Sequence, residues 1–219
     1  MSFEAVIFDL DGTLLDTLED IADATNRALS AFGFPVHPVD AYRYFVGDGV
    51  AMLVSRVVPE SHRRNEALAA SLGEAFAANY AECWAAKTRP YPGISEMLDR
   101  LSAAGIPMAV LSNKPDRFTR DCVSGLLSDW HFDVVLGHGG SIPRKPDPTG
   151  SRRILDHWDL PPSEVLYVGD TSTDMKTACA AGVYPLGVLW GFRPAEELRA
   201  AGARRLVSHP REIVDLLGA

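Results

Sequence analysis

An alternation of short apolar runs and helical segments fills the chain after Tyr91-Pro92-Gly93, and it restricts the fold more than any other feature of the sequence. The apolar runs predict strands over residues 108–111, 134–136, 165–168 and 185–189. The segments between them predict helices over residues 94–104, 117–127, 149–158 and 173–181, and residues 195–217 predict a final helix, strand and helix. Repeated strand–helix units imply a parallel sheet with helices on both of its faces.

One further strand precedes this alternation. Residues 3–8 form a short apolar run that contains Val6, Ile7 and Phe8, which is typical of a strand buried on both faces. The simplest assembly places it in the same sheet. The next helix is predicted to begin at Thr17, whose side chain would cap it, with Asp20 three residues on as a variant of the capping box.

The region from Asp40 to Lys87 keeps a helical pattern that no strand-like alternation interrupts. One face of its long last helix is formed by Leu68, Leu72, Ala75, Phe76, Asn79, Tyr80 and Cys83. We therefore predict an α/β fold in which a Rossmann-like parallel sheet core is interrupted by an inserted all-helical cap domain. The predicted core comprises residues 1–15 and 88–219, and the predicted cap comprises residues 16–87.

Charge and composition limit the partners of the chain. Its 21 Lys and Arg residues against 29 Asp and Glu residues give a net charge of −8, which argues against nucleic-acid binding. No apolar run approaches the roughly 20 residues of a membrane span, and the N-terminus lacks a signal-peptide pattern. Cys83, Cys122 and Cys179 form no CxxC pair and are interpreted as small buried hydrophobes. We expect a soluble cytoplasmic protein, a monomer or homodimer, without a nucleic-acid or membrane partner.

Polar residues collect where the predicted strands end, and in open α/β sheets ligands bind outside these carboxyl ends. They are Asp9, Asp11, Thr13, Ser112, Asn113, Lys145, Asp170 and Asp174. Four carboxylates packed together would repel one another and protonate unless a cation were present. Mg²⁺ prefers oxygen ligands, so the cluster predicts a hard divalent metal with an anionic phosphate ester as its guest.

The same residues suggest a reaction. A carboxylate can act as a nucleophile towards phosphorus and form an aspartyl-phosphate. The second carboxylate of an Asp-x-Asp pair can protonate the leaving alkoxide and then activate water. Lys145 would add positive charge, and the hydroxyls of Thr13 and Ser112 would supply hydrogen bonds to the phosphate.

Four segments resemble, in order and in the elements that carry them, the four motifs of the haloacid dehalogenase superfamily of phosphatases. They are Phe8-Asp9-Leu10-Asp11-Gly12-Thr13-Leu14, Ser112-Asn113, Lys145-Pro146, and Gly169-Asp170 with Asp174. The resemblance covers nearly the whole chain, including a helical cap directly after the first motif. It also predicts a phosphate-hydrolysing enzyme that depends on Mg²⁺.

The resemblance implies specific roles. Asp9 would be the nucleophile and Asp11 the general acid and base, while Ser112 and Lys145 would bind phosphate. Mg²⁺ would be held by Asp9, by the backbone carbonyl of Asp11 and by Asp170. Asp174 would bind the metal directly or through water.

A closer resemblance, to phosphoglycolate phosphatases, implies 2-phosphoglycolate as the substrate. It rests on Phe45-Val46-Gly47-Asp48-Gly49, Arg89-Pro90-Tyr91-Pro92-Gly93, Ser112-Asn113-Lys114-Pro115 and Arg144-Lys145-Pro146-Asp147-Pro148. Gly47 would let a cap loop approach the substrate, and Asn113 would join the substrate-binding residues. Those enzymes commonly carry Asn at the position of Asp48, whose carboxylate is compatible with an anionic substrate only if it points away from it.

Other functions stay open at this point. The substrate could be pyrophosphate, a nucleoside monophosphate or a sugar phosphate, and a sugar-phosphate mutase is a further alternative. Thr13 disfavours the mutase, whose family usually carries Val there, and Asp11 disfavours a dehalogenase. A binding protein without activity would be expected to lack the catalytic carboxylates, all of which are present. The run Gly137-His138-Gly139-Gly140-Ser141 lacks the spacing of a phosphate loop and is interpreted as a flexible loop.

Overall fold

The centre of the molecule is a six-stranded parallel sheet. A computed structural model describes residues 3–219. Its strands are β1 (Ala5–Phe8), β2 (Leu15–Asp16), β3 (Arg89–Pro90), β4 (Met108–Pro115), β5 (Val134–His138), β6 (Val165–Gly169), β7 (Tyr184–Val188) and β8 (Arg205–Val207). The order in the large sheet is β5-β4-β1-β6-β7-β8, and every neighbouring pair is parallel. The carboxyl ends of β4, β1 and β6 therefore lie side by side.

Helices cover both faces of this sheet. They are α1 (Leu18–Ala31), α2 (Tyr42–Phe45), α3 (Val50–Val57), α4 (Glu66–Cys83), α5 (Ile94–Ala103), α6 (Asp116–Leu126), α7 (Thr149–Trp158), α8 (Ser172–Ala181), α9 (Ala195–Ala200) and α10 (Arg211–Leu217). Val6 and Phe8 pack in one core with residues of α5, α6 and α10, whereas Ala5 and Ile7 pack in another with residues of α7 and α8. The apolar run of β1 is thus buried on both faces, and the predicted α/β fold is confirmed.

Helices α1 to α4 pack around a third apolar core of their own. The face of α4 that the sequence predicted contributes Leu72, Phe76, Tyr80 and Cys83 to it. Phe118 of α6 joins this core from the sheet side. The chain enters the helical cluster through β2 and leaves it through β3, which pair antiparallel, so that the two connections run side by side. The division at residues 16–87 agrees with this arrangement but stays a prediction.

The capping box predicted at the start of α1 is wrong. Thr17 occupies the N-cap position, but its side chain makes no capping hydrogen bond. The carboxylate of Asp20 instead accepts the backbone N–H groups of Lys87 and Thr88 and the hydroxyl of Thr88 at 2.7 Å. Asp20 therefore joins the first turn of α1 to the segment that leads back into the sheet.

Two segments predicted to be loops continue their strands. Strand β4 extends to Pro115 because, after a register shift, Pro115 pairs with His138. Gly137 belongs to β5, and its N–H donates to Asp116 at 3.0 Å, so the flexible loop predicted from Gly137 is confined to the residues after His138. Ser112 and Asn113, which the sequence placed in a loop after residue 111, consequently lie on the extended end of β4.

Two further sequence predictions can be compared with the structure. Cys83 and Cys122 are buried as expected, but Cys179 is exposed on α8, so the prediction of a buried side chain is wrong there. Within residues 3–219, no helix combines the length and the apolar character that crossing a bilayer requires.

Candidate active site

A sharp turn after β1 carries the first two acidic residues of the site. Asp9 is buried at the end of the strand, and Asp11 lies two residues on. Gly12 has a φ of +85°, and a Cβ atom at this position would collide with the carboxylate of Asp170. A glycine is therefore required both for the left-handed backbone and for the close approach of the turn to Asp170.

Three buried carboxylates form a cluster at this edge of the sheet. Asp9, Asp170 and Asp174 each offer an oxygen atom, and these atoms lie within 4.8 Å of one another. Burial and the charge of Asp174 raise the pKa of Asp9 to about 7, although Lys145 lowers it in part. Burial, followed by the charges of Asp174 and Asp9, raises the pKa of Asp170 well above its usual range. The three carboxylates carry more negative charge than one neighbouring lysine offsets, and their all-oxygen donor set fits a hard divalent cation.

Lys145 is the cation within this cluster. Its Nζ atom lies 2.8 Å from Asp9 Oδ1 and 2.6 Å from Asp174 Oδ1, and it donates to the carbonyl of Leu111 at 3.0 Å. Burial alone would lower the pKa of Lys145, but the carboxylates of Asp174 and Asp9 raise it well above its usual range. The structure therefore places a charged lysine directly against the predicted nucleophile.

Asp174 also caps a helix. Its Oδ2 atom accepts the N–H of Thr171 at 3.0 Å and the hydroxyl of Thr171 at 2.7 Å, which closes a capping box at the start of α8. Because Lys145 occupies Oδ1, both oxygen atoms of Asp174 already have donors. The two oxygen atoms of Asp170 also have donors, from the hydroxyl of Thr13 and the N–H of Phe192, so hydrogen bonding alone does not distinguish Asp170 from Asp174 as a metal ligand.

Asp11 pairs with a lysine that the sequence analysis did not select. Lys114 Nζ donates to both carboxylate oxygens of Asp11, at 2.7 and 2.9 Å, and only 4% of the lysine side chain is exposed. Burial lowers the pKa of Lys114, but the charge of Asp11 and the further interactions with Asp11, Tyr80 and Cys122 together outweigh burial, so the pKa is raised. The sequence contains one indication of this role, because Lys114 directly follows Ser112-Asn113. That position becomes informative only when β4 is known to extend past residue 111.

Thr13 and Ser112, predicted to bind substrate, make contacts within the protein. The hydroxyl of Thr13 donates to Asp170 Oδ1 at 3.1 Å, so Thr13 orients a carboxylate of the cluster. Ser112 Oγ accepts the N–H of Lys114 at 3.2 Å and lines the cavity described below. Of these two, Ser112 is therefore the better placed to meet a ligand.

Asn113 joins three parts of the site. Its amide nitrogen donates to the carbonyls of Gly47 and Lys145, at 3.0 and 3.2 Å, and its oxygen accepts the N–H of Lys145 at 2.7 Å. Gly47 adopts a φ of +119° in the loop between α2 and α3. The amide of Asn113 is thus used to hold this loop and Lys145 in place.

The charge of Asp48 is neutralised within the helical cluster. Its carboxylate pairs with Arg56 and accepts the hydroxyl of Thr173 at 2.7 Å. Burial raises the pKa of Asp48, but the hydrogen bonds from Thr173 and Arg56 outweigh burial and hold the pKa below its ordinary value. Asp48 therefore directs its charge at Arg56 and Thr173.

A cavity of about 50 Å³ lies between the sheet edge and the helical cluster. Its polar wall comes from the strand ends and includes Asp9, Asp11, Ser112 and Lys114. Its apolar wall comes mainly from the helices and consists of Ile21, Val46, Val50, Leu53, Phe76 and Phe118. The predicted nucleophile therefore faces a small cavity with a polar wall on the sheet side and an apolar wall on the helical side.

A parallel sheet with two aspartates after its central strand, a buried lysine and a further acidic pair after β6 defines a haloacid dehalogenase-like hydrolase. The chain belongs to this family, whose model matches residues 6–188. The resemblance inferred from the sequence is thereby confirmed.

Individual relatives refine the comparison. The chain is 31% identical to a phosphoglycolate phosphatase of Psychrobacter arcticus, over 99% of this chain and 96% of the relative. It is 32% identical to a phosphoglycolate phosphatase of Vibrio vulnificus, over 97% of this chain and 95% of the relative. A solved structure from Lactobacillus delbrueckii subsp. bulgaricus superposes over 100% of both chains with a TM-score of 0.93 and 30% identity.

Proposed function

We propose that this chain is a Mg²⁺-dependent phosphatase that hydrolyses 2-phosphoglycolate to glycolate and phosphate. The family and its named relatives make it a phosphoric monoester hydrolase. The observation that carries the proposal is the contact of Asp9 with Lys145 and with two further carboxylates at the polar wall of a small cavity. The relatives named phosphoglycolate phosphatase support the choice of substrate.

The donor set of the cluster supports Mg²⁺ as the cofactor. Asp9 and Asp170 would hold the ion together with the backbone carbonyl of Asp11, and Asp174 would contact it directly or through water. When bound, Mg²⁺ supplies positive charge that offsets the carboxylates and the phosphate oxygens. The raised pKa values of Asp9 and Asp170 indicate how strongly the folded chain disfavours these charges on their own.

Side chains of the site provide for a two-step reaction. Asp9 attacks phosphorus in line with the leaving oxygen and forms an aspartyl-phosphate, while Asp11, which must be protonated in the substrate complex rather than fully paired with Lys114, gives its proton to that oxygen. Asp11 then takes a proton from water, which attacks the phosphorus of the aspartyl-phosphate and releases phosphate and free Asp9. Lys145 lies beside Asp9 and contributes positive charge that attracts the phosphate, and the hydroxyl of Ser112 hydrogen-bonds to the phosphate oxygens in both steps.

The size of the cavity favours a small leaving group. The cavity is small, and the apolar side chains on its helical side lie opposite Asp9, which favours a short leaving group. Glycolate fits this limit better than a nucleoside does. The predicted cap, residues 16–87, would close over the substrate and exclude water.

A substrate panel tests the proposal. With Mg²⁺ present, we expect kcat/KM for 2-phosphoglycolate to exceed that for pyrophosphate, a nucleoside monophosphate and a sugar phosphate by about 10-fold or more, the discrimination that one or two binding contacts supply. A lower rank for 2-phosphoglycolate would exclude the proposed substrate. Transfer of labelled phosphate to a second hydroxyl of a sugar phosphate, rather than to water, would identify a mutase.

A further inference from the structure

The cavity in front of Asp9 contains one feature that hydrolysis of the phosphate group does not use. Of the described residues that line it, Lys114 alone carries a positive charge, and the surrounding helical wall is apolar. Lys145, the other buried cation of the site, is engaged by Asp9 and Asp174. A negatively charged group on the leaving side of a substrate would therefore meet Lys114.

Lys114 has bonding capacity to offer such a group. A lysine ammonium has three N–H donors, and in residues 3–219 two of them are accounted for by the oxygens of Asp11. The Nζ atom also lies 4.8 Å from the centre of the Tyr80 ring. One donor remains for a ligand that enters the cavity.

Tyr80 provides a second, independent observation. It lines the same cavity and is 1% exposed, and its hydroxyl lies close to Lys114 and Cys122 but makes no well-formed hydrogen bond within the described part of the chain. The ring is held by stacking on Phe76 and by an edge contact with Phe118, at centroid distances of 5.5 and 5.1 Å. A buried hydroxyl without a well-formed hydrogen bond is unfavourable, so a ligand that accepts its hydrogen bond gains from binding there.

We propose that Lys114 and Tyr80 form a subsite that binds a carboxylate on the leaving group. The subsite selects phosphate monoesters of short hydroxy acids over neutral esters of the same size. The inference rests on the proposed phosphatase function and names the part of the site that distinguishes one ester from another. Lys114 supplies the charge, Tyr80 donates the second hydrogen bond, and the apolar wall limits the chain length.

A matched pair of substrates isolates this subsite. 2-Phosphoglycolate and 2-hydroxyethyl phosphate have the same phosphate and the same chain length, but the second carries a neutral hydroxymethyl group in place of the carboxylate. The measured quantity is the ratio of kcat/KM for the acid to kcat/KM for the neutral ester. We expect the wild-type ratio to be well above 1 and to fall about 10- to 100-fold in Lys114→Met, as for loss of a hydrogen bond to a charged group.

Lys114→Met leaves Asp11 without its partner and could impair folding, so a second variant is needed. Tyr80→Phe keeps the ring and removes only the hydroxyl. We expect it to lower the same ratio about 3- to 10-fold, chiefly through KM for the acid. Lys87→Met removes an exposed lysine outside the cavity and should leave the ratio at its wild-type value.

The outcomes separate the inference from the function on which it rests. A ratio that stays constant in Lys114→Met, with both rates reduced equally, would mean that the lysine acts only on Asp11 and would overturn the inference. Equal turnover of the two esters by the wild-type enzyme would also overturn it while leaving the phosphatase reaction intact. Turnover of neither ester, with hydrolysis of another phosphate monoester, would refute the proposed substrate and the inference together.

Discussion

Asp9 combines two properties that oppose each other in a folded protein. It is buried beside Asp174, which raises its pKa to about 7, and the proposed reaction requires it as a charged nucleophile. Lys145 at 2.8 Å provides part of the compensation, and the proposed metal would provide the remainder. The position that makes Asp9 available for reaction therefore lowers the stability of the metal-free protein, because the charged form of Asp9 is buried near other carboxylates.

Asp9→Asn separates these two properties. Asparagine has the same shape and can still accept from Lys145, but its amide is not a nucleophile, so we expect kcat to fall about 10³-fold or more. The variant should unfold at the same or a higher temperature than the wild type in EDTA at pH 8, because it removes one charge from the cluster. Steady-state hydrolysis combined with thermal unfolding measures both effects. Asp156→Asn, at an exposed position of α7, serves as the matched control with unchanged activity.

The sequence predicted which residues belong to the site more easily than it predicted the contacts that these residues make. The positions of Asp9, Asp170 and Lys145 follow from strand ends and motif spacing, and the structure brings them together. The partners of Thr13, Asn113 and Lys114 depend on which strands are neighbours and on where a loop of the helical cluster lies. A local pattern does not contain this information, because each of these contacts joins residues that are distant in the chain.

At the level of elements, the link between α1 and β3 is made by one buried carboxylate. Asp20 accepts hydrogen bonds from the backbone of Lys87 and Thr88, next to the point where the chain returns to the sheet. Neighbouring Asp23 also contacts this segment, but only through an exposed pair with the side chain of Lys87. The two aspartates lie three residues apart on α1 and differ mainly in burial.

Asp20→Asn and Asp23→Asn form a matched comparison. We expect Asp20→Asn to lower the free energy of unfolding by about 2 kcal/mol, because it weakens buried hydrogen bonds to a charged group and places an amide N–H beside other donors. Asp23→Asn should change it by less than about 0.5 kcal/mol, as is usual for exposed ion pairs. Urea denaturation measures both, and equal effects would contradict a structural role for the burial of Asp20.

The bounds of the elements show why the sequence predicted β4 to be too short. Its apolar part ends at Leu111, and the polar residues that follow suggest a loop. The strand nevertheless continues to Pro115, since it resumes pairing with β5 after a register shift. Sequence periodicity detects burial, whereas the length of this strand is determined by backbone pairing with a neighbour.

For the molecule as a whole, the acidic cluster couples folding to pH and to metal. An aspartate whose folded pKa is raised from 3.8 to about 7 binds more protons in the folded than in the unfolded state between these pH values. Its contribution to stability is therefore fully present below about pH 4 and is lost as the pH rises through 7. A divalent cation competes with the protons for the same oxygens and should restore that stability.

We expect the metal-free protein to unfold at a lower temperature at pH 8 than at pH 6. At pH 8, Mg²⁺ at about 100 times its dissociation constant should raise the free energy of unfolding by about 2.7 kcal/mol, which corresponds to roughly 5–10 °C in Tm. The same Mg²⁺ concentration should raise Tm clearly less at pH 6. Thermal unfolding in EDTA and in Mg²⁺ at both pH values tests this. Activity lost in EDTA should return on addition of Mg²⁺. The same rise in Tm at the two pH values would exclude proton competition at the cluster.

The central place of β1 has a consequence for the synthesis of the chain. This strand is synthesised before its neighbours β4 and β6, which begin only at Met108 and Val165. At roughly 5–20 residues per second, the strand waits about 10–30 s for its second partner. Throughout that interval Val6, Ile7 and Phe8 lack the neighbouring strands that pair with them, so the strand at the centre of the finished sheet is also the one that waits longest for its neighbours.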